Sequence, residues 1–306
     1  MTFARGRARW ASVLRSFYPL DLSKLISNGG SDVIVKGENM SYVTSNDGKK
    51  IWYDIVGNGE PLVLIGGSSL VHRQWDFMVP ILQDHFKVIL YDQRGAGLSD
   101  RPTHGITVEK WVDDLKMVLD KIKVKKAHIF GTSNGSFIVI QFAGKYPERT
   151  GAIIHYGMHK LTDQSRKMSR IGAKIVDEFG VGNKSMGAYF LVRLYGIPAL
   201  YEEWETNRFE ENLFPDAWKA MHEALDVDLT EELQKIRVPQ LILIGDSGAI
   251  GKNSDYGSGW KEVQRLCHDV EVAVISGAEG TYCVVTHPAE VAKEVIPFLK
   301  KNRISS

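Results

Sequence analysis

From about residue 40 onward, short unbroken apolar runs alternate with segments whose apolar residues recur every three to four positions. PLVLIGG (61–67), FKVILYD (86–92), KAHIFG (126–131), TGAIIHY (150–156), QLILIG (240–245) and VEVAVIS (270–276) are rich in Val, Ile and Leu and stop at turn residues. That is the pattern of strands buried on both faces. IWYDIV (51–56) follows the turn NDGKK and reads as the second strand of a hairpin. Between the runs, VEKWVDDLKMVLDKI (108–122), SFIVIQFAGKYP (136–147) and AEVAKEVIPFLKK (289–301) carry helical patterns. The alternation predicts an α/β fold: a mostly parallel sheet of the eight-stranded type, with helices on both faces and right-handed crossovers.

The rhythm breaks once. Residues 158–232 contain no clear strand, are helical in character, and carry large aromatics that include Tyr189, Tyr201, Trp204 and Trp218. The segment reads as a helical cap inserted after one strand, over the crevice where α/β proteins bind ligands. Most of its aromatics form its own small core, and a few face the crevice, which suits an apolar or ester-like small molecule. The expected organisation is a basic N-terminal extension (1–40), a core made of 41–157 and 233–306, and the cap (158–232).

Composition narrows the class. The chain has 306 residues, 43% hydrophobic and 25% charged, with a net charge of +1. A balance so near neutral excludes a general nucleic-acid binder, which needs a basic face. No stretch reaches the roughly 18 apolar residues of a transmembrane helix. Two cysteines, Cys267 and Cys283, lie in apolar surroundings and read as free thiols of a reducing compartment, the cytoplasm. The first 20 residues are acid-free and carry Arg5, Arg7, Arg9 and Arg15, with Trp10, Leu14 and Phe17 at helical spacing. They read as a basic flanking helix, with organelle targeting or membrane-surface association left open. No His/Cys/Asp spacing resembles a metal cage, and neither metal nor cofactor is expected.

One stretch carries chemistry. HIFGTSNGSF (128–137) holds Gly131-Thr132-Ser133-Asn134-Gly135, with a strand before it and a helix after it. That context fits a nucleophile elbow, in which glycines let a strained serine project over the sheet edge. LVLIGGSSL (62–70) is a strand running into a Gly-rich loop, so the backbone N–H groups of Ser68 and Asn134 are the expected oxyanion donors. YDQRGAGLSDRP (91–102) is a strand end followed by a Gly-punctuated turn. Together these ordered motifs resemble the α/β-hydrolase superfamily over roughly 40–157 and 233–300. In that family the turn reads like D-x-R-G-x-G-x-S, matched by Asp92, Arg94, Gly95, Gly97 and Ser99. Asp92 and Arg94 read as ties between loops rather than as catalytic groups.

The resemblance then fails at two places. It implies an acid in a G-x-x-D arrangement after QLILIG, where the chain has Gly245-Asp246-Ser247-Gly248, so Gly248 holds the acid's position. It implies a histidine about seven residues before a proline. Counting back from Pro288 reaches Thr281, and no histidine occurs from 269 to 286. A threonine hydroxyl is far too weak a base, and glycine has no carboxylate to orient an imidazole. The double loss is similar to that of the maspardin family of hydrolase-like proteins, although this chain keeps a regular DQRGAGLSDRP turn. What remains is a mounted nucleophile, Ser133, without an evident base. The expected function is a poor or inactive hydrolase that binds a small molecule or a protein partner. The alternative is a serine esterase, another hydrolase or a lyase with a relocated base. His155, His159 or His72 would supply that base, and Asp246 is the substitute acid.

Overall fold

The computed structural model describes residues 41–67, 71–163, 166–167, 215–247 and 259–304. Strands β1 (Ser41–Thr44), β2 (Lys50–Val56), β3 (Glu60–Ile65), β4 (Phe86–Tyr91), β5 (Ala127–Gly131), β6 (Thr150–His155), β7 (Gln240–Ser247) and β8 (Val270–Glu279) form one sheet in the order β1-β2-β4-β3-β5-β6-β7-β8. The hairpin strands β1 and β2 are antiparallel to their neighbours, and every pairing from β4 through β8 is parallel. The apolar runs are the parallel strands. β5 and β6 are buried at every position, as strands covered on both faces must be.

The helices are α1 (Val79–Leu82), α2 (Val108–Lys121), α3 (Gly135–Lys145), α4 (Pro215–Ala224), α5 (Thr230–Lys235), α6 (Gly259–Leu266), α7 (Cys283–Thr286) and α8 (Pro288–Lys301). Thr107 caps α2 by accepting the Lys110 N–H through its hydroxyl at 3.2 Å, and Pro288 opens α8 where no N–H is needed. α2, α3 and α5 pack in series, while α1 packs against α8. Expected and observed bounds agree within a few residues for the three long helices.

The two ends of the expected cap meet beside β6. Lys160 bridges to Asp228, the Leu229 N–H donates to the His159 carbonyl, and Arg166 pairs with Asp226. The boundary expected at residue 232 falls inside α5, whose residues follow directly on this junction. Residues 168–214, with Tyr189, Tyr201 and Trp204, lie outside the described residues, as does the extension 1–40.

The D-x-R-G-x-G turn fastens the rim at the β4 end. The fully buried Asp92 carboxylate accepts the His72 backbone N–H (2.9 Å), His72 Nδ1 (2.7 Å) and the Leu98 N–H (2.9 Å). Arg94 makes a two-pronged bond to Asp114, 2.7 Å on each prong, and reaches Asp47 at 2.7 Å. The Trp111 indole donates to the Arg94 carbonyl at 3.0 Å. Burial raises the Asp114 carboxyl above the usual carboxylate range, and the Arg94 guanidinium pulls it back. Removing Arg94 strands a carboxylate in the interior. Arg94→Met should therefore cost about 3–5 kcal/mol in urea unfolding, and adding Asp114→Leu should recover much of that loss. A single variant within 1 kcal/mol of wild type would refute this role.

Candidate functional site

Ser133 follows β5 and adopts φ = +50°, in the left-handed region. That conformation costs an L-residue about 1–2 kcal/mol. The turn is tight enough to demand its glycines. A Cβ at Gly131 would lie 2.5 Å from the Gly135 carbonyl oxygen, and one at Gly135 would lie 2.7 Å from the Ile65 carbonyl oxygen. β3 and the first turn of α3 therefore touch backbone to backbone, which presents Ser133 at the start of an eleven-residue helix with no acidic residue in its first turn. Below it, Thr132 Oγ1 donates to Gln74 Oε1 at 2.7 Å, and the same oxygen accepts the Gly67 N–H at 2.8 Å. Asn134, one of the two expected oxyanion donors, is 1% exposed and directly follows the serine. Ser68, the other, lies outside the described residues.

Among the described residues nothing hydrogen-bonds the Ser133 hydroxyl. All nine histidines of the chain are described, so each can be placed. His155, an expected substitute base, lies at the end of β6. Its Nε2 is 3.2 Å from Gln240 Oε1, and its Nδ1 accepts the Gly157 N–H at 3.1 Å, so both ring nitrogens are used within the sheet. His72 is held by Asp92 and stacks at 4.5 Å on Trp52, toward the hairpin side. His159 is buried between the Gly157 carbonyl (3.3 Å) and Glu262 (3.4 Å). His128 accepts the Ala152 N–H at 2.9 Å. His287 pairs with the Thr286 hydroxyl at 2.9 Å. His85, His104 and His268 are exposed, and His222 belongs to α4.

The positions at which the resemblance implies an acid and a histidine lie at the ends of β7 and β8. Strands β7 and β8 stay paired to Ser247 and Glu279, across a shift of register between Gly245 and Ser247. Asp246, expected as a substitute acid, accepts the Gly277 N–H at 2.7 Å, and the Ser247 hydroxyl donates to the Ala278 carbonyl at 2.8 Å. Asp246 is thus spent on the neighbouring strand. Thr281 falls in the 3₁₀ turn Gly280–Tyr282 that leads into α7. Gly248 lies outside the described residues. Just beyond the turn, Cys283 is buried with its sulfur 2.8 Å from the Tyr156 hydroxyl, and burial pushes its thiol up to about 12. Both cysteines are free.

The sequence reading missed these β7–β8 cross-ties. Gly277 and Gly280 mark a strand end by composition, and side chains of the partner strand hold the stretch Gly277–Ala278 to β7. A cleft of about 420 Å³ is lined by residues that include His159, Lys160, Lys261, Glu262 and Arg265. It is charged and shares no residue with the Ser133 site. Among the described residues, no cluster of three or more His, Cys, Asp or Glu is placed to hold a metal, and no helix is long and apolar enough to cross a membrane.

This chain belongs to the α/β-hydrolase fold family, whose model matches residues 60–279. Its relatives include a non-heme chloroperoxidase of Streptomyces lividans, 23% identical over 281 residues, which are 85% of this chain and all of that protein. A 2-hydroxy-6-oxo-2,4-heptadienoate hydrolase of Pseudomonas putida is 35% identical over 107 residues, 33% of this chain. Two local matches of this kind span only 35% and 38% of the relatives' own lengths. Among solved structures, a thermophilic esterase from Thermogutta terrifontis superposes with a TM-score of 0.72 at 21% identity, over 87% of this chain and 100% of that one.

Two outcomes follow from this geometry. Ser133→Gly relieves the positive φ and should stabilise the protein by up to about 1 kcal/mol, seen as a higher urea midpoint at unchanged slope. A lower midpoint would contradict the strain. Burial pushes His128 and His155 down to about 4 from an ordinary value near 6.5. The folded state therefore binds fewer protons than the unfolded one, and stability is full above pH 6.5 and lost as the pH falls from 6.5 to 4. The loss is on the order of a few kcal/mol. Urea midpoints across that window should fall steeply in the wild type and more shallowly in a His128→Asn/His155→Gln variant. Equal slopes would count against the assignment.

Proposed function

We propose that this chain is a hydrolase-fold protein that keeps the nucleophile-elbow serine but hydrolyses poorly or not at all, and that it works by binding a small molecule or a protein partner. One observation carries the reading. All nine histidines are accounted for, and none bonds Ser133 among the described residues. The cross-ties of Asp246 and Ser247 to β8 add support, because they occupy the strand ends from which an orienting acid and a base would reach the serine. Gly248 and Thr281 then stand at the acid and histidine positions, a pattern of losses similar to that of the maspardin family. The donors left are the backbone N–H groups of Asn134 and Ser68. They suit an apolar or ester-like small molecule with a carbonyl to place at the helix start. The two free thiols are in keeping with a reducing compartment such as the cytoplasm.

A second reading has its own support. The strain at Ser133 is retained, and strain of this kind clusters at working active sites. Relatives named as a hydrolase and a chloroperoxidase favour the same side. In that reading a histidine such as His72 or His159 moves to the serine when substrate binds.

Labelling separates the two. Without a base, Ser133 should resist stoichiometric labelling by a fluorophosphonate over hours at pH 7.5. Turnover of p-nitrophenyl esters should then stay within the roughly 10³–10⁴-fold over water that an oxyanion hole and binding supply alone. Ser133→Ala should lower that turnover by less than about tenfold. Rapid labelling at Ser133 would overturn the first reading.

A further inference from the structure

We propose that the crevice at Ser133 takes a carboxamide, a ligand bearing an intact –C(=O)–NH– group, and that Asn134 reads it. This deepens the reading of a non-cleaving elbow and rests on it. The observation is an orphaned residue. Asn134 is 1% exposed, yet both its Nδ2 and its Oδ1 lack partners. Its backbone N–H makes no bond among the described residues either, and neither does the neighbouring Ser133 hydroxyl. Buried polar groups are nearly always satisfied, so a residue with its donors and side-chain acceptor unused marks a place for an absent partner.

The groups converge. The point that a Cβ at Gly67 would occupy lies 3.3 Å from Ser133 Cβ and 3.8 Å from Asn134 Oδ1. Ser133 and Asn134 thus both lie against the face of Gly67 that carries no side chain. Gln74 Oε1, 3.4 Å from the same point, is already committed to the Gly67 N–H and the Thr132 hydroxyl, and so does not satisfy Asn134.

The unmet groups specify the ligand. The Asn134 N–H, Asn134 Nδ2 and the Ser133 hydroxyl donate, whereas Asn134 Oδ1 needs a donor. An ester supplies acceptors only. An ionised carboxylate also supplies only acceptors and sets a negative oxygen against Oδ1. A carboxamide meets both needs: its carbonyl faces the donors and the positive helix start, and its N–H faces Oδ1. Exchanging the amide oxygen and nitrogen of Asn134 leaves the same requirement of one donor and one acceptor. With no base beside the serine, the C–N bond of such a ligand stays whole.

The test is calorimetric titration of the full-length protein with 4-phenylbutanamide, methyl 4-phenylbutanoate and 4-phenylbutanoate, and with straight-chain amides from butanamide to decanamide. The amide should bind at least about tenfold more tightly than its ester or acid, a 1.4 kcal/mol difference. Asn134→Leu keeps the backbone N–H but should erase that preference to within about twofold. It should also raise the ligand-free Tm, because it removes a buried unsatisfied amide. The inference is overturned if the ester or acid binds as well as the amide, if Asn134→Leu retains the preference, or if no amide of the series binds below about 10 mM. Ammonia release from the amide together with fluorophosphonate labelling would instead overturn the non-cleaving reading and leave the amide preference standing.

Discussion

The backbone contact between the β3 end and the first turn of α3 is the constraint on which the site depends. Gly135 meets the Ile65 carbonyl where no side chain fits, and Gly131 meets Gly135 in the same way. The turn between them has no room to relax, so Ser133 is held at φ = +50°. The strain is offset by the buried parallel strands on either side, with α3 packed on β5 and β6, α1 on β4, and α8 on β7 and β8. A stable sheet thus fixes a local conformation that the serine alone would avoid.

The rim above the sheet is fastened on both sides of the elbow, by different means. On the hairpin side, buried charge does it. Asp92 gathers N–H donors from two loops, and Arg94 joins Asp114 and Asp47. Such a network is stable only when every member is paired, which gives the loops one arrangement rather than several. On the other side, β-pairing does it. β7 and β8 remain joined to Ser247 and Glu279, with the Asp246 carboxylate and the Ser247 hydroxyl completing the ladder. An acid in a catalytic triad must leave its strand to reach an imidazole, and Asp246 is bonded where it stands.

These fastenings bear on what the serine can do. A hydroxyl needs a partner that takes its proton, and the histidines nearest in sequence to the crevice have their nitrogens turned to other tasks: His155 to Gln240 and Gly157, His72 to Asp92. The helix start and the unmet polar groups of Asn134 remain. In the proposed reading they hold a carbonyl without breaking the bond beside it, because donors stabilise charge on oxygen and supply no base.

The sequence by itself determined the parallel strands and the three long helices, since unbroken Val/Ile/Leu runs and helical periodicity are local consequences of burial on two faces or on one. It determined the elbow from Gly131-Thr132-Ser133-Asn134-Gly135, and counting back from Pro288 it placed Thr281 where the resemblance implies a histidine. It placed His155 correctly at a strand end but could not say which groups its ring would meet, because Gln240 lies 85 positions away and arrives only through β7 pairing. The continuation of β8 past Gly277 was equally closed to it, for Asp246 stabilises that stretch from another strand. Asn134 reads in sequence as a backbone donor. That its side chain is buried with nothing to bond is decided by where Gly67 and Gln74 come to lie, and only the tertiary structure brings those elements together.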